Sequence, residues 1–246
     1  MSKKYYLVDF DGVVCDSRLE CMVTSYIAYQ YLNGEPYKPE YTKTEVPDKG
    51  AKIFIEYRYL ARTAKEFMIL WDMIVGGIDI HPDKILFEQV HVNQERLLKF
   101  NKLFYDTRYE WMIKDQKSWL NIHTVFGDMQ DLLKKWLNEE RAHIVSSKDQ
   151  LSILTILQNN GVDIVEADIS GCDEGDKPGH FKRLTKINKD KDIIMLDDNL
   201  ENLEMAREYN IEGYLCTWGY TWDASIKEAI QKRFSTLSLE QLQILQ

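Results

Sequence analysis

The sequence predicts an α/β protein: a doubly wound parallel sheet with a Rossmann-like core, into which an all-helical domain is inserted. Three observations predict it. Short apolar runs at the start and through the second half alternate with helical patterns, the signature of a parallel sheet covered on both faces. Three of those runs stop at clustered oxygen-bearing side chains. The long stretch between the first run and the rest shows helical periodicity and no two-residue alternation.

Taken in order, Tyr5-Tyr6-Leu7-Val8 is a β-favouring run that ends at Asp9-Phe10-Asp11-Gly12. From about Arg18 to Ile122, aromatics at Tyr26, Tyr29, Phe54, Tyr57, Phe67, Trp71, Phe100, Phe104 and Trp111 read as the core of a helical unit. Pro36, Pro39 and Pro47 mark one loop between its helices, and Gly76-Gly77 with Pro82 marks another break. Ala142-His143-Ile144-Val145 is a strand ending at Ser146-Ser147, followed by a helix over Gln150 to Asn159. Val162-Asp163-Ile164-Val165 reads as a weaker strand. Ile193-Ile194-Met195-Leu196 is fully apolar, ends at Asp197-Asp198 and leads into a helix over Leu200 to Tyr209. Gly213-Tyr214-Leu215-Cys216 is a further strand, Ser225 to Phe234 a further helix, and Ser238-Leu239-Glu240-Gln241 is a capping box that starts the last helix. The expected division is an α/β core over 1–17 and 123–246, with the helical domain over 18–122.

A chain of 246 residues, 44% hydrophobic and 29% charged, has the composition of an ordinary globular protein. Its formal charge of -9 argues against nucleic-acid or anionic-membrane partners. It does not exclude a small phosphate ester held at one site by a metal ion and a few cations. Met1-Ser2-Lys3-Lys4 runs into a strand without a signal-peptide pattern, and the apolar stretch Phe67 to Ile80 is broken by Asp72 and Gly76-Gly77. Cys15, Cys21, Cys172 and Cys216 show no paired metal or disulfide spacing and read as reduced thiols. The expectation is a cytoplasmic protein, monomeric or homodimeric.

In an open α/β sheet, ligands bind beyond the carboxyl ends of the strands. Asp9 and Asp11, two residues apart where a strand runs into a loop, can face one side. One carboxylate could attack phosphorus while the other handles the leaving-group proton. Each cluster also has an ordinary reading. Asp11-Gly12 is a common turn dipeptide, Ser146-Ser147 and Asp197-Asp198 could cap helices, and Lys177 could be a solvated loop lysine.

The segment Asp9-Phe10-Asp11-Gly12-Val13-Val14-Cys15-Asp16-Ser17 resembles the first motif of the haloacid dehalogenase superfamily, in the phosphoglycolate phosphatase-like branch. Val145-Ser146-Ser147-Lys148 resembles the second motif, Gly175-Asp176-Lys177-Pro178 the third, and Leu196-Asp197-Asp198-Asn199-Leu200-Glu201-Asn202 the fourth, in the expected order. Gly127 and Thr217-Trp218-Gly219-Tyr220 also look like that branch. The resemblance spans about 1–20 and 123–246.

That resemblance implies a phosphatase using Mg2+, with Asp9 as nucleophile and Asp11 as general acid/base. It implies metal ligation by Asp9, Asp198 and the Asp11 backbone carbonyl, supported by Asp197 and Asn202. Ser146, with Ser147 beside it, and Lys177 would hold the phosphoryl oxygens, with Lys182 the alternative lysine if the register differs. The physical rationale agrees, because Mg2+ takes hard oxygen ligands and loose phosphoryl transition states need charge neutralisation and alignment. An insertion between the first and second motifs implies a helical cap of the first type, a lid that excludes water during transfer. Within it Arg18, Arg58, Arg62 and Arg108 are the candidate substrate contacts. His91, His123 and His143 read as packing residues, whereas His180 could approach the cleft mouth. Asp11 argues against a dehalogenase, and no cap lysine stands out for a phosphonatase. A phosphomutase and a non-catalytic binding protein on the same fold are the alternatives to hydrolysis of a small phosphorylated metabolite.

Overall fold

The computed structural model describes residues 4–35, 46–82 and 84–245, so Pro36 and Pro39 of the expected loop lie outside the described residues. The chain forms two compact units, Met1–Asp16 with Thr124–Gln246, and Ser17–His123.

The first unit is built on strands β1 (Lys4–Val8), β4 (Ala142–Val145), β5 (Ile169–Ser170), β6 (Asp192–Asp197), β7 (Glu212–Cys216) and β8 (Ser235–Leu237). They form one sheet in the order β5-β4-β1-β6-β7-β8 with every pairing parallel. Side chains alternate across it, as the two-residue period of a strand requires. Tyr5 and Leu7 join Ile193, Met195 and Leu215 in a core with Phe181 and Leu184 of helix α9 (Lys177–Ile187) and Leu203 and Ala206 of α10 (Leu200–Glu208). Tyr6 faces the other way and stacks on Trp136 of α7 (Gly127–Asn138), ring centroids 3.8 Å apart. Helices α8 (Gln150–Asn159) and α11 (Asp223–Gln231) complete the α/β alternation. Opposite faces of one strand thus serve two separate cores, which is what doubly wound means physically.

Val162 to Val165 is not a strand. Val162 and Ile164 are buried, which produces the alternation, but the backbone groups are met by local turns and side chains instead of a ladder: Val162 N–H donates to Leu157 C=O at 3.0 Å. Val165 N–H donates to Asp168 Oδ2 at 3.1 Å, and Ile164 C=O accepts from Gln158 Nε2 at 3.0 Å. The paired edge strand comes only after a 3-10 turn, at Ile169–Ser170. The last helical segment, Leu239–Leu245, is 3-10, with the reach-back arm of the expected capping box: Ser238 N–H donates to Gln241 Oε1 at 3.0 Å. A two-stranded antiparallel ribbon, β2 (Cys15–Asp16) with β3 (Thr124–Val125), joins the points where the chain leaves and re-enters this unit.

The second unit holds α1 (Arg18–Leu32), α2 (Asp48–Tyr57), α3 (Ala64–Gly76), α4 (Leu86–Gln89), α5 (Gln94–Lys114) and α6 (Gln116–Asn121). Phe54 stacks on Trp71 at 5.0 Å and Phe67 meets Phe104 at 5.5 Å, so most of the aromatic series forms a core, while Tyr26 and Tyr57 are only half-buried. Trp71 satisfies its indole N–H on Ser25 Oγ at 2.8 Å. His143 is buried in the first unit and His123 half-buried in the second, but His91 is exposed, because it lies in the connection between short α4 and α5 rather than on a packed face. Among the described residues, no helix is long and apolar enough to cross a membrane.

Candidate active site

The sheet order places β4, β1 and β6 side by side, and the ladder brings their carboxyl ends level. Val8 is opposite both Ile144 and Leu196, so the residues just beyond these strands are lateral neighbours at a spacing of about 4.8 Å per strand. Asp9 N–H donates to Leu196 C=O at 2.9 Å, which sets Asp9 beside Asp197. Three polar strand ends that lie far apart in sequence therefore converge.

Lys177 ties two of them together. It is the first residue of α9, whose start is fixed by Asp176 accepting from Gly179 N–H at 2.9 Å and by Pro178 in the first turn. Its ammonium donates to Asp9 Oδ1 at 3.1 Å and to Asp197 Oδ2 at 2.8 Å. Lys177 is buried. Burial alone would lower its pKa, but Asp197 and Asp9 more than offset that and raise it, so it stays cationic. Lys182, the alternative in register, is exposed on α9.

Asp197 is saturated by the protein. Besides Lys177 it accepts from Asn199 N–H at 2.8 Å and from Asn202 Nδ2, at 3.1 Å to Oδ1 and 3.0 Å to Oδ2. Asp198 accepts from Tyr220 N–H at 2.5 Å. Lys148, whose side chain is fully buried, donates to Asp11 Oδ1 at 3.3 Å. Ser146 is buried and its Oγ accepts from Lys148 N–H at 3.2 Å, leaving its O–H as a donor; Ser147 beside it is exposed.

One carboxylate oxygen from each of Asp9, Asp197 and Asp198 lies within 4.8 Å of the others. All are hard oxygen donors of the kind Mg2+ takes. Four carboxylates (Asp9, Asp11, Asp197, Asp198) face two ammonium groups (Lys148, Lys177). With all four carboxylates ionised, the protein's own charges are out of balance by the charge of one divalent cation. The imbalance registers on Asp9: burial first, then Asp197, push its carboxyl up to about 7 although Lys177 pulls it down. The residues fit a divalent cation.

The four candidate arginines belong to the helical unit, and two of them are core groups there. Arg108 is buried against Glu20, with Nε to Oε1 at 2.8 Å and Nη2 to Oε2 at 3.0 Å. Arg58 is buried, donates to Ala61 C=O and lies 4.8 Å from the Phe67 ring centroid. Long buried cations need such partners inside their own unit. Arg18 opens α1 and Arg62 precedes α3, both half-buried. His180 is buried, with Nε2 3.2 Å from Gly171 C=O, and it lines a separate cleft of about 240 Å³ with Glu166, Ala167, Ile169, Glu174 and Arg183.

Two contributors carry no local sequence signal for their part in the site. Lys148 was visible within Val145-Ser146-Ser147-Lys148, but not its reach to Asp11. The Tyr220 donor is a backbone N–H, which side-chain identity does not advertise.

No family model matches the chain, and no curated protein matches it. Solved structures do. A predicted phosphoglycolate phosphatase from Haemophilus somnus is 13% identical with a TM-score of 0.66, covering 100% of this chain and 99% of that one. A predicted phosphatase from Clostridium acetobutylicum is 15% identical with a TM-score of 0.62, covering 100% and 99%. A hydrolase of the haloacid dehalogenase-like family from Streptococcus pneumoniae is 12% identical with a TM-score of 0.58, covering 99% and 97%. At these identities the likeness is one of fold, and it extends over nearly the whole of each chain.

Proposed function

We propose that this chain, with the haloacid dehalogenase-like fold, is a phosphatase that hydrolyses a small-molecule phosphate monoester through an aspartyl phosphate on Asp9. The observation that carries the reading is Lys177 bridging Asp9 and Asp197 at a site whose remaining charge suits one divalent cation. Asp9 and Asp198, with the Asp11 carbonyl, would hold Mg2+, and Asp197 is too fully engaged by Lys177, Asn199 and Asn202 to be more than their support. When bound, the ion would neutralise charge on the transferring phosphoryl group and on Asp9.

The remaining steps belong to the protein's own groups. An oxygen of Asp9 forms a bond to phosphorus as the ester P–O bond breaks, and Asp11 gives its proton to the departing alkoxide. Ser146 O–H and the Lys177 ammonium hold phosphoryl oxygens, donors fixed before the charge develops. Asp11, now a carboxylate, takes a proton from water as that water attacks phosphorus. Inorganic phosphate leaves and Asp9 is restored.

Hydrolysis of p-nitrophenyl phosphate with Mg2+, with EDTA, and by Asp9→Asn tests this. The expected result is metal-dependent release of phosphate that falls by at least about 1,000-fold in the variant. Wild-type turnover by Asp9→Asn would sink the assignment. A sugar phosphate isomerised without phosphate release would convert the reading to a mutase.

A further inference from the structure

Strand β7 ends at Cys216, and the chain then runs through Thr217-Trp218-Gly219-Tyr220-Thr221-Trp222 before α11. This segment is pinned at both ends. Thr217 donates to Leu237 C=O through its N–H at 2.9 Å and its hydroxyl at 3.2 Å, while Trp222 N–H donates to Ser225 Oγ at 3.2 Å. Its middle lies on the site. Tyr220 N–H meets Asp198 Oδ2 at 2.5 Å, and Trp218 Nε1–H donates to Val13 C=O at 3.0 Å in the loop after Asp11. The Tyr220 hydroxyl reaches Asp16 Oδ1 at 3.5 Å.

The approach is so close that only glycine fits. A Cβ on Gly219 would stand 2.4 Å from Asp198 Cβ, 2.5 Å from its Oδ2 and 2.7 Å from Gly12 C=O. A Cβ on Gly12, whose φ is +89°, would stand 2.0 Å from Asp198 Oδ2. Asp198 is thus clasped between two glycine backbones, with one oxygen fixed by an amide.

We infer that the Thr217–Trp222 strap is the positioning element for Asp198: it fixes the carboxylate against the first-motif loop and so sets the affinity of the cation site. The inference rests on the reading of Asp198 as a cation ligand. Trp218, Gly219 and the Tyr220 amide act through Asp198 and need touch neither ion nor substrate. Groups that orient a metal ligand are worth about 10–100-fold in metal affinity when lost.

The test is Mg2+ binding by titration calorimetry and by Mg2+-induced thermal shift, without substrate. It compares wild type, Asp198→Asn, Gly219→Ala and Trp218→Phe, each checked for folding by circular dichroism. Wild type should bind and Asp198→Asn should not. Gly219→Ala should weaken binding by about 10-fold or more, and Trp218→Phe, which loses the bond to Val13 and part of the ring, by a few-fold. Should Gly219→Ala not fold, Trp218→Phe decides. Folded variants that bind Mg2+ as tightly as wild type would overturn the strap's role while leaving the phosphatase reading intact. A wild-type protein that bound no Mg2+ would overturn both.

Discussion

The ammonium of Lys148 lies 3.3 Å from Oδ1 of Asp11, and the two residues stand at the ends of neighbouring strands, 137 positions apart. The lysine side chain is fully buried while the carboxylate keeps 18% of its surface exposed. A buried ammonium on one oxygen restricts the rotation of Asp11. A held carboxyl is what a group that hands a proton to a leaving group needs.

Lys148→Met should therefore lower kcat more for alkyl phosphates than for p-nitrophenyl phosphate. About 10- to 100-fold is expected for alkyl leaving groups, the range of a general acid partly displaced. Asp11→Asn should show the same dependence more steeply, and Lys148→Arg should recover part of the loss. Equal losses for good and poor leaving groups would remove Lys148 from any role through Asp11.

Two buried groups pull stability in opposite directions as pH changes. Asp9 goes from 3.8 to about 7 on folding, chiefly through burial and Asp197. The folded metal-free state then binds more protons than the unfolded state between these values, so stability falls as pH rises across that window. His143 goes from 6.5 down to about 4, chiefly through burial, then through Arg183 and His180. There the unfolded state binds more protons, so stability rises as pH rises from about 4 to 6.5. The opposing slopes should leave urea denaturation in EDTA weakly pH-dependent between pH 4 and 6.5. Asp9→Asn should unmask a rising slope, and saturating Mg2+, which holds Asp9 ionised, should do the same. A rising slope already present in metal-free wild type would show that Asp9 titrates normally.

Strands and site were legible to different degrees, for physical reasons. The ends of β1, β4 and β6 could be read because apolar residues run up to clustered oxygen-bearing side chains at each exit, although β4 carries the buried His143 in mid-strand. Val162 to Val165 misled because burial alone generates alternation, and pairing depends on which backbone groups side chains have already taken. Lys177 is identifiable by resemblance only; spacing alone does not separate a helix-terminal lysine between two carboxylates from a solvated one. Arg108 and Glu20 stand 88 residues apart, and no local pattern joins them.

That buried pair yields the last expectation. Glu20 is fully buried on α1, where its carboxylate takes two bonds from Arg108 of α5 and a third from Thr24 Oγ1 at 3.0 Å. The Arg108 guanidinium lies 4.6 Å from the Phe104 ring centroid, so its far face is covered by an aromatic. Removing one charge strands the other where water cannot reach it, at a cost of about 3–5 kcal/mol, whereas replacing both with apolar groups of similar volume can be nearly neutral. Arg108→Met should therefore destabilise the protein strongly in urea, and Glu20→Gln nearly as much. Glu20→Leu combined with Arg108→Met should recover most of the loss. If the double variant were as unstable as the sum of the two single changes, the pair would not be coupled, and α1 and α5 would be held together by their other contacts.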